Sequence, residues 1–413
     1  MSARLALSIV SYCCCLAAAS CTPRPAPPDA STLRAADAAP VGAPQPAPTP
    51  DPELAKAAML HEPCPAAEKG ARAADDALDA QPRSAAGLYR LGEWLRLRDA
   101  HCFKEPAPAR HAASAADAFA VAMRLDPARP EYVLAFAELR PEDPEASAAL
   151  DALLARDPAN GAARLLVARR PGTKPEDAIA LLSEKSVRCV VGLHLELGDL
   201  YRAQKKFEAA RDSYRAELER PCEAMGVTWA GEDLSRRAAA RLGLATAALE
   251  LGDLLTARRQ LAWLHFDAVD AALPLVDPEV EEALWKKLEG KEARTKALPQ
   301  KPGGMPADSV DALERAALFG RWPSFKALLV DEKDLDRAFP GCAQYGEDTG
   351  PRGTYALCIL RELLPEDPKA GGCESEGTRG ATCSVTGAGA PQPWTVYLLK
   401  VGPTWKLASS KRP

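Results

Sequence analysis

Histidine is scarce: there are five in 413 residues, the last at His265. The final third of the chain therefore has no imidazole of its own, which excludes Ser-His and His-Asp mechanisms there. Other reaction motifs are missing too. The sequence has no glycine loop for cradling phosphate, no Gly-x-Ser-x-Gly and no His-Glu-x-x-His. It also lacks Cys-x-x-Cys, whether for redox exchange or, with a following His, for haem attachment. Positive charge is not in excess, since the formal net charge is −5. Basic pairs such as Arg169-Arg170, Lys205-Lys206, Arg236-Arg237 and Arg258-Arg259 are spread along the chain and read as solvated faces, so a nucleic-acid partner is not expected. The acidic groups Glu279, Glu281 and Glu282, and Glu362, Glu366 and Asp367, read the same way. No catalytic residue, enzyme activity or cofactor is expected.

No apolar run reaches the roughly twenty residues that a membrane-spanning helix needs. The nearest is at the N-terminus, where Arg4 precedes an apolar stretch from Leu5 to Ala19, followed by Ser20 and Cys21. A short basic start, a short apolar run and small residues at its end make a secretory signal over residues 1–20. Ala18-Ala19-Ser20-Cys21 resembles the lipobox of bacterial lipoproteins. That resemblance implies cleavage before Cys21 and acylation of Cys21, giving a membrane anchor; a plain secreted form is the alternative. It also implies outer-membrane sorting in a two-membrane cell envelope, because Thr22, not Asp, follows the cysteine. Residues 21–51 are rich in Pro and Ala with little to bury, and read as a disordered tether.

From 52 to 290 the chain repeats itself. Patterns of Ala, three residues, then a large apolar or aromatic residue begin at Ala115, Ala146, Ala178, Ala210 and Ala257, spaced by 31, 32, 32 and 47 residues. Nine residues separate Ala137, Arg169, Tyr201 and Ala248 from the next marker alanine, so the turn length is constant. A period of this size means helical hairpins. His194, Leu197-Gly198, Tyr201, Ala210, Tyr214 and Pro221 together resemble the tetratricopeptide repeat (TPR) family. Leu88, Leu91-Gly92, Leu95, Ala115, Phe119, Ala122 and Pro127 form a second copy with a lengthened turn. Weaker copies contain Val133-Leu134, Leu165-Leu166 and Leu244-Ala245. The fold class expected is mainly α: a TPR-like α-solenoid followed by a small α+β domain. An irregular bundle is the competing architecture, because insertions at Asp99–Arg110 and Cys222–Asp233 interrupt the period. The resemblance implies that the first helix of each hairpin lines a groove for a protein or extended peptide partner. Tyr89, Glu93 and Arg96 in one copy, and Asp199 and Arg202 in another, are the groove candidates.

Residues 291–306 read as a linker and 307–413 as the small domain. Asp308 reads as a helix N-cap, Pro323 as the start of a second helix, and 340–353 as turns. Strand-like residues come last, at Thr382–Thr386, Trp394–Val401 and Trp405–Ala408. The closing strands resemble the end of NTF2-like cone domains, which implies a ligand-binding or weakly catalytic cone as the alternative function.

Twelve cysteines, less Cys13, Cys14 and Cys15 in the signal and Cys21, leave eight. An even number in an exported chain points to disulfides. Cys64 and Cys102 fall in the turns of successive hairpins, and Cys189 and Cys222 at the start and end of antiparallel helices. Cys342, Cys358, Cys373 and Cys383 remain in the C-terminal region, with their pairing open. His61, Cys64, His101 and Cys102 do not match zinc-ligand spacing, so no metal is expected. His194 reads as a packed repeat marker, and His111 and His265 offer no chemistry.

Overall fold

The structure, a computed structural model, describes residues 51–411 apart from 59, 61–62, 103–108, 220–221, 223–229, 272–273, 296–304, 331–334, 346–353, 378 and 389–391. The signal, Cys21 and nearly all of the tether lie outside the described residues. These described residues form one compact unit.

The first part is helical throughout: α1 Pro52–Ala58, α2 Cys64–Leu78, α3 Ala85–His101, α4 Ala115–Leu125, α5 Pro130–Leu139, α6 Pro144–Arg156, α7 Gly161–Ala168, α8 Pro175–Ser183, α9 Leu193–Ala203, α10 Phe207–Glu219, α11 Ala230–Leu251, α12 Leu254–Asp270 and α13 Pro278–Thr295. Their starts are written in the sequence. Proline occupies the first turn of α2, α5, α6 and α8, where its missing N–H costs nothing. Ser84, Ser114, Asp143, Asn160 and Asp253 cap α3, α4, α6, α7 and α12, each accepting a backbone N–H from the first turn.

All five marker alanines are buried, on α4, α6, α8, α10 and α12. The small residues set how closely the helices cross. A methyl group on Gly92 of α3 would stand 2.5 Å from the Phe119 ring of α4. On α9, Gly198 leaves the same room for Tyr214 of α10, which also rests on Gly243 of α11. Each helix packs on its neighbours in the chain, and α5, α7, α9 and α11 also reach the next odd-numbered helix. One apolar cluster runs from α1 into α7, a second joins α7, α8 and α9, and a small third surrounds Tyr214.

The C-terminal region contains α14 Pro306–Leu318, α15 Trp322–Ala327, α16 Leu335–Ala338, a 3-10 turn Pro340–Tyr345 and α17 Thr354–Leu363. An antiparallel meander of order β1-β2-β3-β4 closes it: β1 Glu366–Glu376, β2 Gly380–Ala388, β3 Trp394–Val401 and β4 Thr404–Lys411. Ala381, Cys383, Val385, Val396, Leu398 and Leu407 are buried on one side of this sheet. They belong to the cluster that contains the α14 side chains, and α14 packs on β1, β2 and β4. Tyr397, Leu399 and Val401 stay exposed on the other side.

Three features depart from the sequence reading. Asp308 is not the cap of α14; it sits one turn in, and its carboxylate accepts the Met305 N–H at 3.2 Å. β1 and α17 are additional elements. The expected linker is shortened by α13, which continues to Thr295, and its residues 296–304 lie outside the described residues. The apolar core does not divide there, because a single cluster extends from Ala238 on α11 to Leu407 on β4.

Candidate functional site

On α3 the five residues Leu91 to Leu95 are all buried, since α1, α2 and α4 pack around this helix. Glu93, expected to face a groove, is therefore only 5% exposed. Tyr89 remains partly open, its ring 5.4 Å from Phe119 and 5.0 Å from Tyr132 of α5. Burial holds its hydroxyl protonated well above the usual range, reinforced by the Glu93 and Glu131 carboxylates. Arg96 reaches across to α5 and donates to both Glu138 oxygens, at 3.0 and 3.3 Å. This two-pronged pair joins successive odd-numbered helices.

The second group lies on α9. Asp199 and Arg202 are both about half exposed and form an ion pair of 2.9 Å one turn apart. Tyr214 completes the cluster: its hydroxyl donates to Asp199 at 2.7 Å and accepts from Arg202 at 3.0 Å. Burial, followed by the charge of Asp199, pushes the Tyr214 hydroxyl upward. Arg169, just beyond α7, donates to Glu196 of α9 at 2.7 Å. The structure thus brings Tyr89, Glu93 and Arg96 together, and Asp199 and Arg202 together, as two groups on different helices. The partners Glu138, Tyr132 and Tyr214 had no signal in the sequence beyond their place in the repeat, because contact depends on how hairpins stack.

Charged contacts also fasten the first helices and the last ones to their neighbours. Asp51 accepts from Arg90 at 2.7 Å and from Trp94 at 3.0 Å, both on α3. The inserted segment between α3 and α4 returns to α2, where Asp75 accepts the backbone N–H groups of Arg110 and His111 at 2.9 and 3.0 Å. At the far end Arg241, 1% exposed, donates to Glu366, Asp267 and Gln260. Burial pushes the Asp267 carboxyl above its usual range although Arg241 opposes the shift. Arg259 forms a buried two-pronged pair with Glu314, and Arg258 binds Glu292 and the Leu318 carbonyl.

Among the described residues four disulfides are formed: Cys64–Cys102, Cys189–Cys222, Cys342–Cys358 and Cys373–Cys383. The first two join the cysteines that the hairpin register places side by side. The last crosses between directly opposed residues of β1 and β2. Two groups of metal-type donors occur among the described residues, Cys64 with Glu68 and Cys102, and Cys189 with His194 and Cys222. His194 is only part-buried, so the repeat marker lies at the rim of the core.

No family model, curated protein or solved structure matches this chain. Its function must be argued from its own residues. Among the described residues, no helix is long and apolar enough to cross a membrane. The surface depressions lined by Pro65, Glu68, Lys69, Arg72, Ala73 and Asp76, and by Gln81–Ser84, are open and shallow, unlike the enclosed pockets that bury small ligands.

Proposed function

We propose that the protein is an extracytoplasmic, lipid-anchored scaffold whose TPR-like hairpins hold a protein or an extended peptide. The supporting observation is the packing of α5, α7, α9 and α11, each touching the next odd-numbered helix, with the marker alanines of the even-numbered helices buried. Contact between alternate helices on one side curves a stack toward that side, which makes the odd-numbered helices the concave face of a solenoid. Tyr89, Arg96, Asp199 and Arg202 lie on that face in this reading. The disulfides support an oxidising compartment, as the signal-like N-terminus and Cys21 do. Outer-membrane anchoring through Cys21 belongs to the same proposal.

The alternative, a ligand-binding cone at the C-terminus, gains no support from the sheet. Its buried side is filled by side chains that share one apolar cluster with α14.

The test is capture of partners from envelope membranes by the mature protein, with photo-cross-linking groups placed at Tyr89 and Asp199. The reading expects cross-links to form there and the double variant Arg96→Ala/Arg202→Ala to weaken capture about tenfold or more. Both ion pairs are partly exposed, so melting should move by no more than about 1 kcal/mol. Undiminished capture by that variant, with Arg72→Ala and Glu208→Ala on the even-numbered helices proving harmful, would place the site elsewhere.

A further inference from the structure

Cys189 lies just before α9, His194 in its first turn, and Cys222 just beyond α10. The helices are antiparallel neighbours, so their packing gathers the three residues at one end of the hairpin. One sulfur from each cysteine and one imidazole nitrogen lie within 4.8 Å of one another, and all three residues are part-buried. A tetrahedral zinc ion with Zn–S near 2.3 Å and Zn–N near 2.0 Å needs donors about 3.5–3.8 Å apart. The imidazole nitrogen therefore lies within about an ångström of the spacing that a three-ligand zinc site needs, while the two bonded sulfurs have to part to reach it.

The scaffold beneath them does not depend on that bond. Gly192 and Leu195 donate their backbone N–H groups to Glu217 of α10 at 2.8 and 3.3 Å, and Arg236 of α11 holds the same carboxylate. Gly192 itself takes a left-handed φ of 88°, which turns the chain into α9. These contacts fix the first turn of α9, and the packing of Gly198 against Tyr214 fixes the crossing of α9 and α10. Opening the disulfide leaves the three donors presented from the same two helices.

We propose that Cys189, His194 and Cys222 form a redox-gated zinc site, closed as a disulfide and open to the ion when the disulfide is reduced. The exchange balances with a dithiol as reductant. Its two sulfurs become a disulfide, two electrons break the Cys189–Cys222 bond, and two protons pass to the freed sulfurs. Zinc then displaces both protons to solvent as two Zn–S bonds form. His194 supplies a neutral nitrogen, and water takes the fourth position. Reoxidation runs the sequence backwards and releases the ion. The cluster of Cys64, Glu68 and Cys102 is the weaker candidate, because an exposed carboxylate suits a thiolate-bound ion less well than imidazole does. The proposal is independent of the partner groove.

The test uses mature protein reduced with a dithiol, freed of reductant without oxygen, and titrated with Zn2+ before alkylation and peptide mass mapping. Zinc should protect Cys189 and Cys222 while Cys64 and Cys102 are alkylated. Co2+ in its place should give the charge-transfer and visible bands of a tetrahedral thiolate site. His194→Ala should need at least about tenfold more Zn2+ for half-protection, and His265→Ala no more than the natural protein. Circular dichroism follows the fold of each reduced form. Protection that is absent, spread evenly over all thiols, or unchanged in His194→Ala overturns the proposal, as does loss of helicity on reduction that zinc does not reverse.

Discussion

Arg241 on α11 and Glu366 at the start of β1 are separated by 125 residues and joined by a hydrogen bond of 2.7 Å. Arg241 also donates to Asp267 at 3.0 Å, so one buried guanidinium ties α11, α12 and the sheet together. Removing a single partner from a buried pair leaves the other charge desolvated, which costs about 3–5 kcal/mol. Arg241→Ala should lose about that much in urea unfolding, whereas Arg361→Ala, a partly exposed partner of Asp270, should lose about 1 kcal/mol or less. A protein ending at residue 290 should be unstable and expose apolar surface, because it takes Glu366 from Arg241 and removes most of the shared cluster. Intact folding of that truncated chain, followed by near-ultraviolet circular dichroism, would show that the two parts do not depend on each other.

Gly92 and Phe119 give a second expectation. The place of a side-chain methyl on Gly92 is already taken by the ring, and the ring is fully buried. Gly92→Ala should therefore destabilise by about 1–3 kcal/mol despite the better helix propensity of alanine. Gly290 on α13 has open space around it, and Gly290→Ala should stabilise slightly. Chemical denaturation of the two variants side by side checks the sign of both.

Much of this packing was legible beforehand. The marker alanines and Gly92 and Gly198 stand out because a residue that must be small at every crossing recurs with the period of the hairpin. What a charged side chain meets is not periodic. Arg96 and Glu138 are 42 residues apart, and Glu93 is buried because α1, α2 and α4 converge on α3. β1 carries no strand signal in the sequence because Pro368, Gly371 and Gly372 lower its strand propensity, while its pairing with β2 supplies the order. The continuous core between α11 and β4 is not legible in the sequence, because the composition changes near residue 300 while side chains on both sides of that change share one apolar cluster.

Asp75 makes stability depend on acid. Burial alone would raise its carboxyl, but the N–H groups of Arg110 and His111 and their side chains outweigh it and hold the carboxyl below its ordinary value. A depressed carboxylate adds stability above the pKa of the unfolded chain, near 4, and loses it as pH falls through the folded value. Asp75→Asn should thus melt lower than the natural protein at pH 7, with the gap closing below about pH 4. Melts taken at pH 7, 5, 4 and 3 would show it; a constant gap would mean that the charge is not what matters.

Cys21 offers the simplest check on anchoring. If the proposed anchor is right, Cys21→Ser should leave the membrane fraction and become soluble, because acyl chains on that one residue would supply the affinity for lipid. Retention of the variant on membranes washed with high salt would rule out a lipid anchor at this position.

Tyr214 fills the space above Gly198 and Gly243 at once, and its hydroxyl closes a hydrogen-bonded cluster with Asp199 and Arg202. One ring is thus shared between two consecutive interfaces. The repeat that can be cut out of the sequence is for that reason not the unit that can be exchanged. Grafting α9 and α10 alone into another array would carry the aromatic knob without one of its two sockets. A transplant, or a duplication during evolution, has to take α11 with them, so the inheritable module here is a hairpin and a half.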